Sequence, residues 1–208
     1  VRAWLQHQRR QRRQFVVHLS VSAFSDLDAS KSTQALTASE YQQRVEAADR
    51  FIGQVIDTLE ESGLSRRTLV VVTAESGPHP RCHSAVKELG SLGETRTSAE
   101  GLRDGDLMVP CVIRWPGRVE PGSKTDQACS VLDLMRTFLT IAMARDHPAT
   151  DGVSLEPILL GRSQKTHPLL YWQSGRGGTT HQAAWKDGWK AFKAGRAGEV
   201  NLFRMSDD

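Results

Sequence analysis

The sequence feature that most restricts the fold is an amphipathic helix pattern placed between two apolar, β-branched runs. The apolar positions of the pattern follow one another at intervals of four and three, as one buried stripe requires: Tyr41, Val45, Ala48, Ile52, Val55 and Leu59. The flanking runs, FVVHLSV at 15–21 and LVVVT at 69–73, have no polar face, as in buried parallel strands. A strand, a crossover helix and a second strand form a right-handed unit. The sequence therefore predicts an α/β fold with a mostly parallel sheet flanked by helices.

Both ends of this helix carry capping signals in the sequence. Thr37 and Glu40 have the spacing of a capping box, in which each residue binds the other's backbone N–H. Gly63 followed by Leu64 fits a Schellman stop, because glycine adopts the left-handed conformation that ends a helix. We therefore expect the helix to begin next to Thr37 and to end just before Gly63.

Two later strings continue the α/β pattern. VPCVIRWPG at 109–117 predicts a third strand, and the spacing of Ser130 and Asp133 caps a helix that runs to about Ala144. Residues 74–106 carry no periodicity, and a loop of about thirty residues inside a domain is typically functional.

The pattern of apolar segments and turns in the sequence changes towards the end of the chain. Short apolar segments with glycine-bearing turns predict a small antiparallel sheet, with strands at 168–173, 180–185, 188–194 and 199–205. We therefore expect an α/β domain over 1–162, incomplete at its N-terminus, and a small antiparallel β subdomain over 163–208.

Charge and cysteine content bear on several function classes. The formal net charge is +3, too small an excess to indicate a nucleic-acid binder. The arginines between Arg9 and Arg13 fit a nucleic-acid arm or a solvated helix end, and the low net charge favours the second. Three cysteines without C-x-x-C spacing, Cys82, Cys111 and Cys129, exclude a cysteine-based zinc site. No apolar run approaches the ~20 residues of a membrane span.

Several strings, in order, resemble the C-terminal half of a sulfatase, in the alkaline-phosphatase-like superfamily. They are ADRFIGQVIDTLEESGLSRRTLVVVTAESG, VPCVIRWPGRVEPGS, SVLDLMRTFLTIA, DGVSLEPILLG, QAAWKDGWKAFKAG and VNLFRMSDD. One departure is Arg136, which stands where the family has proline. The chain also begins at Val1 rather than at methionine, and with the resemblance this predicts the back part of a longer hydrolase.

The resemblance implies a formylglycine nucleophile, made from a C/S-x-P-x-R motif, and a calcium ion that orients the sulfate. No C/S-x-P-x-R string occurs in the 208 residues. Where the family has a metal-binding Asp-Asn-Gly, the chain reads Glu75-Ser76-Gly77. The carboxylate of Glu75 and the hydroxyl of Ser76 are thus the candidate calcium ligands. The alternative is that Glu75 is only a polar loop residue.

The positions that would contact the sulfate are changed as well. The family's Ala-Pro-His turn reads Ala23-Phe24-Ser25, and Ala99 falls at the position of the family's lysine. Lys87 is the only lysine of the long loop, and with His79 and His83 it is a candidate substrate-binding residue. Two loop histidines are also common as plain polar surface.

The acidic string Asp104-Gly105-Asp106 replaces the family's Glu-Gly-Gly. This substitution adds negative charge where an anion is expected to bind, and like charges repel.

Two functions follow. The first is a sulfatase-like protein, a sulfuric ester hydrolase by resemblance, which is inactive as this isolated chain because it lacks the formylglycine motif. The alternative is a non-catalytic sulfatase-like domain that serves binding or assembly. The resemblance implies a sulfate ester substrate and a periplasmic, secreted or lysosomal-type compartment. Apolar surface at 15–21 and 69–73 predicts self-association or pairing with a missing N-terminal half.

Overall fold

The computed structural model describes residues 2–21, 23–24, 34–90, 102–144, 149–176 and 179–204. Helices precede the strands of the last sheet. The helices, numbered here in chain order, are α1 Arg2–Gln11, α2 Ala38–Glu61, α3 His83–Glu88, α4 Asp104–Leu107, α5 Leu132–Ile141 and α6 Glu156–Leu159. The strands are β1 Val70–Thr73, β2 Cys111–Arg114, β3 Leu170–Arg176, β4 Thr179–Lys186, β5 Trp189–Lys193 and β6 Val200–Arg204.

The strands form two sheets. One sheet pairs β1 with β2, and the other has the order β3-β4-β5-β6. The pairings β4–β5 and β5–β6 are antiparallel, with Gln182 opposite Lys193 and Trp189 opposite Arg204. The α/β class with a small C-terminal antiparallel sheet is therefore confirmed.

The prediction of a strand at 15–21 is wrong. These residues have no regular secondary structure, and Val16 and Val17 are exposed to 67% and 42%. An apolar run becomes a strand only when a neighbouring strand accepts its backbone hydrogen bonds. No strand in the described part of the chain pairs with this segment.

The predicted ends of α2 are confirmed atom by atom. The Glu40 carboxylate accepts from the backbone N–H of Thr37 at 2.8 Å, and the Glu40 N–H donates to the Thr37 hydroxyl oxygen at 3.3 Å. At the other end Leu64 N–H donates to the Leu59 carbonyl and Gly63 N–H to that of Glu60, both at 2.9 Å. Gly63 has φ +64°, the left-handed conformation of a Schellman motif.

The chain divides into two compact units, and each is made of three separate stretches of the sequence. The first comprises residues 1–19, 55–71 and 113–170, and the second comprises 20–54, 72–112 and 171–208. This grouping does not test the predicted domain boundary between residues 162 and 163, which stays a prediction.

A leucine cluster forms a core of the first unit. Leu5, Leu59 and Leu64 are buried together, and Phe15 packs against them. Arg9 lies over the end of α2, where its guanidinium donates to the Ser62 carbonyl at 2.7 Å. This contact supports the helix-end interpretation of the arginine cluster, since cations favour the C-terminal ends of helices.

The second unit has its own apolar core. Leu36, Cys82 and Val86 are buried together, and Phe24 and Tyr41 pack against them. Burial raises the pKa of the Cys82 thiol, because the thiolate loses solvation in this core. Among the described residues, no helix combines the length and the apolar character needed to cross a bilayer.

Candidate functional site

The end of β1 leads directly into Glu75, Ser76 and Gly77. The side chains of Glu75 and Ser76 are exposed. The Ser76 hydroxyl donates to the Gly77 carbonyl oxygen at 3.1 Å. The predicted position of this tripeptide, after an apolar strand whose residues Val70–Val72 are partly buried, is therefore confirmed, while its role as a metal ligand stays a prediction.

Gly77 is fixed by a backbone contact that only glycine permits. Its N–H donates to the Asp106 carbonyl at 2.8 Å. A Cβ added at Gly77 would lie 2.0 Å from the carbonyl oxygen of Gly105 and 2.7 Å from the Cα of Asp106. The segment after β1 is thus held against the start of α4.

Asp104 and Asp106 are each engaged by a donor within the chain. The Asp106 carboxylate accepts from the Arg103 N–H at 3.0 Å and closes the first turn of α4. The Asp104 carboxylate pairs with the ammonium of Lys190 on β5, and only 11% and 7% of the two side chains are exposed.

These contacts reduce the repulsion expected from Asp104, while the repulsion of an anion by the acidic string as a whole stays a prediction. The charge of Asp104 is matched by that of Lys190, and the Asp106 carboxylate is satisfied locally. Buried charges are tolerated when they are paired and hydrogen-bonded in this way.

His79 and His83 lie at the two ends of a short 3-10 turn, Pro80–Cys82. The His79 Nδ1 accepts from the Arg81 N–H at 3.1 Å. The His83 Nε2 lies 3.1 Å from the Pro78 carbonyl oxygen, so it carries the hydrogen, since a carbonyl only accepts.

The run at 74–106 was expected to be a loop, but from Pro80 onwards it contains this 3-10 turn and then α3. Proline is accepted in the first turn, where its missing N–H has no intrahelical partner. Lys87 is exposed on α3. The substrate-binding roles of His79, His83 and Lys87 stay predictions.

Phe24, which stands at the proline of the family's Ala-Pro-His turn, has a packing role. Its ring centroid lies 5.4 Å from that of Tyr41, and the Arg44 guanidinium lies 5.8 Å from it. Ser25 and Ala99 lie outside the described residues.

The donor set after β1 does not fit a complete calcium site. Calcium takes about six to eight oxygen ligands. Within the described ranges, no three side chains of His, Cys, Asp or Glu converge as metal ligands would. Glu75 and Ser76 alone leave most of the coordination sphere unfilled.

A second polar centre, only part of which is indicated by the sequence, lies around Asp133. This side chain is fully buried and accepts from the Ser130 and Val153 N–H groups, both at 2.7 Å. The His167 Nε2 lies 2.8 and 2.9 Å from its two carboxylate oxygens. The capping pattern indicated Ser130, but no local signal indicated His167, which is 34 residues away.

The surroundings of Asp133 give it a structural role. The neighbouring Thr137 hydroxyl accepts from the Leu155 N–H at 2.8 Å. A Cβ at Gly152 would lie 2.2 Å from the Leu132 carbonyl oxygen. The network therefore clamps the 152–155 segment onto α5.

Comparison with known proteins decides the family. The Sulfatase family model matches residues 5–144, about two thirds of the chain. The chain belongs to the sulfatase family. Its fold is that of solved sulfatases, the alkaline-phosphatase-like fold.

The individual matches show how much of each relative this chain covers. Steryl-sulfatase of Rattus norvegicus is 34% identical over 142 residues, which are 63% of this chain and 24% of the relative. N-acetylgalactosamine-6-sulfatase of the same species is 28% identical over 74% of this chain and 31% of the relative. The crystal structure of Ps i-CgsB in complex with k-i-k-neocarrahexaose matches with a TM-score of 0.70 at 21% identity, over 88% of this chain and 40% of that one. The chain thus spans a quarter to a third of the length of these two curated relatives.

Proposed function

We propose that this chain is a sulfatase-like scaffold that does not hydrolyse sulfate esters by itself. The observation that carries the proposal is the donor set after β1. Glu75 and Ser76 offer two oxygen donors, and the described residues bring no cluster of three metal-ligating side chains together. A site that orients a sulfate through calcium needs about six oxygen ligands.

The sequence supports the same proposal independently. The family's nucleophile is made within a C/S-x-P-x-R motif, and none of Cys82, Cys111 and Cys129 stands in such a string. Without a nucleophile there is no covalent sulfate transfer to this chain, whatever the state of the remaining site.

The neighbouring segments support it as well. Asp104 and Lys190 pair with each other, and Asp106 closes a helical turn. Because Lys190 is paired with Asp104, its ammonium is not available to bind a sulfate. The two carboxylates already accept hydrogen bonds within the chain, so they are not placed to hold a proton for a leaving alcohol.

A substrate class can be inferred only for an active site that is completed by segments outside these 208 residues. The relatives are named as a steryl-sulfatase and an N-acetylgalactosamine-6-sulfatase. We infer a sulfate ester as the substrate of such a completed site, with Glu75 and Ser76 as the oxygen ligands that this chain contributes.

A non-catalytic role in assembly is the second candidate, and the exposed segment after α1 favours it. Val16, Val17 and Leu19 are exposed to 67%, 42% and 37%. Apolar side chains exposed next to one another mark an interaction surface or an aggregation liability.

The proposal is tested by titrating calcium into the purified chain and measuring the heat of binding. We expect no saturable site. Stoichiometric binding that is lost in Glu75→Ala and retained in Glu88→Ala, an exposed glutamate of α3, would show that the chain forms the metal site alone and would overturn the proposal.

A further inference from the structure

A polar cavity on the C-terminal sheet lies apart from the segment after β1. It has a volume of about 450 Å³ and is lined by residues of three strands and the following turn: Gln173, Thr180, Gln182, Lys193, Gly195 and Arg196. Its size is in the range of small-molecule sites, about 300–1,000 Å³. Small-molecule sites are mostly apolar. This cavity is instead lined by amides, a hydroxyl and cations, and such a lining favours a polar ligand.

The strand register fixes how the cavity is built. Gln182 on β4 lies directly opposite Lys193 on β5. The Gln182 Nε2 donates to the Tyr171 hydroxyl at 2.8 Å, and that hydroxyl donates to the Gln173 Oε1 at 3.2 Å. The two amides are therefore held in place by a shared tyrosine, which lowers the entropic cost of binding a ligand.

The cations of the cavity are Lys193 and Arg196. No carboxylate among the described residues pairs with Lys193 or Arg196. Lys190, three residues earlier on the same strand, is instead paired with Asp104 on the other face of the sheet. Two cations that have no carboxylate partner in the described ranges, placed beside neutral hydrogen-bonding groups, favour a ligand that carries both an anionic group and hydroxyls.

We propose that this cavity binds an anionic saccharide. Lys193 and Arg196 bind its sulfate or carboxylate group, and Gln173, Thr180 and Gln182 bind its hydroxyls. The inference rests on the proposed function only for the class of ligand, because the cavity lies outside the segment that would hold a metal or a scissile ester.

Binding is measured by calorimetry with four probes in the presence of a calcium chelator. The probes are N-acetylgalactosamine 6-sulfate, unsulfated N-acetylgalactosamine, glucuronic acid and inorganic sulfate. We expect saturable binding of the sulfated or the carboxylated sugar, and the two arms identify which anion the cavity prefers. The unsulfated sugar and inorganic sulfate each lack one part of the recognition, so we expect them to bind at least about tenfold more weakly.

Two double variants with equal loss of charge separate the site from general attraction. Lys193→Gln with Arg196→Gln removes the cavity cations, and Lys186→Gln with Arg67→Gln removes two exposed cations elsewhere. We expect the first pair to weaken binding at least about tenfold and the second to leave it within about twofold. Both pairs are checked for an unchanged melting temperature.

The proposal is overturned if no probe binds, if inorganic sulfate binds as tightly as the sugars, or if the two double variants weaken binding equally. Because the chelator removes calcium and no turnover is measured, these outcomes do not depend on whether the chain hydrolyses sulfate esters. Glu75→Ala is expected to leave saccharide binding unchanged, which separates this cavity from the segment after β1.

Discussion

Gly77 is a residue whose identity is set by its neighbours. Its Cα faces the Gly105 carbonyl oxygen, and an added Cβ would lie 2.0 Å from that atom. We expect Gly77→Ala to lower the free energy of unfolding by about 1–3 kcal/mol, because backbone must move to relieve the overlap. Gly53→Ala is the matched control.

Gly53 lies inside α2 with nothing within 4 Å of an added Cβ. Alanine there is expected to raise the free energy of unfolding by about 0.5–1 kcal/mol, since it restricts the unfolded chain more than glycine does. Urea unfolding measures both variants. Equal effects of the two substitutions would contradict the contact assigned to Gly77.

Asp133 is a buried residue whose replacement is expected to destabilise the fold. Its buried carboxylate accepts from two backbone N–H groups and lies against the His167 ring. Asp133→Asn removes acceptor capacity and turns an amide NH₂ towards existing donors, so we expect a loss of about 3 kcal/mol of unfolding free energy. Asp126→Asn, at an exposed position, should change it by less than about 0.5 kcal/mol. A small effect at Asp133 would mean that the network contributes little.

Residue contacts of this kind are the part that the sequence could not supply. The position of Glu75-Ser76-Gly77 followed from one apolar strand, which is a local pattern. The pairing of Asp104 with Lys190 joins residues 86 apart, and no periodicity encodes such a contact. Predictions about Asp104 made from charge alone therefore missed its partner.

At the scale of elements, the start of α2 offers a pH test. Acceptance of hydrogen bonds from Thr37, first from its backbone N–H and then from its hydroxyl, lowers the pKa of Glu40 below 4.5. A lowered folded-state pKa means that the stabilisation is complete above pH 4.5 and is lost as the pH falls through the folded-state value.

We therefore expect Glu40→Gln to lower the melting temperature near neutral pH, with the difference from the natural chain shrinking as the pH falls well below 4.5. Thermal melts over a pH series measure this. Glu88→Gln serves as the control, because Glu88 has no such cap. A difference that stays constant with pH would contradict the charged capping box.

Elements differ in how well the sequence predicts them, for a physical reason. The ends of α2 were predicted within one residue, because caps and the Schellman glycine act locally. The run at 15–21 has the composition of a strand but no partner strand among the described residues. Strand formation depends on long-range pairing, so composition alone was not sufficient to predict a strand at 15–21.

At the scale of the whole molecule, exposed apolar surface predicts self-association. Val16 and Val17 line a groove together with Trp4 and His18. We expect the sedimentation coefficient of the purified chain to rise with concentration, and Val16→Ser with Val17→Ser to reduce that rise, because the association buries apolar area. A monodisperse monomer over the whole concentration range would contradict it.

We propose that this chain retains a sulfatase scaffold without a self-sufficient catalytic site. The most direct test is the hydrolysis of a chromogenic aryl sulfate by the purified chain, with and without calcium, beside a complete sulfatase as the positive control. We expect product release equal to that of the buffer blank under both conditions. Calcium-dependent release that follows the protein through a sizing column would contradict it.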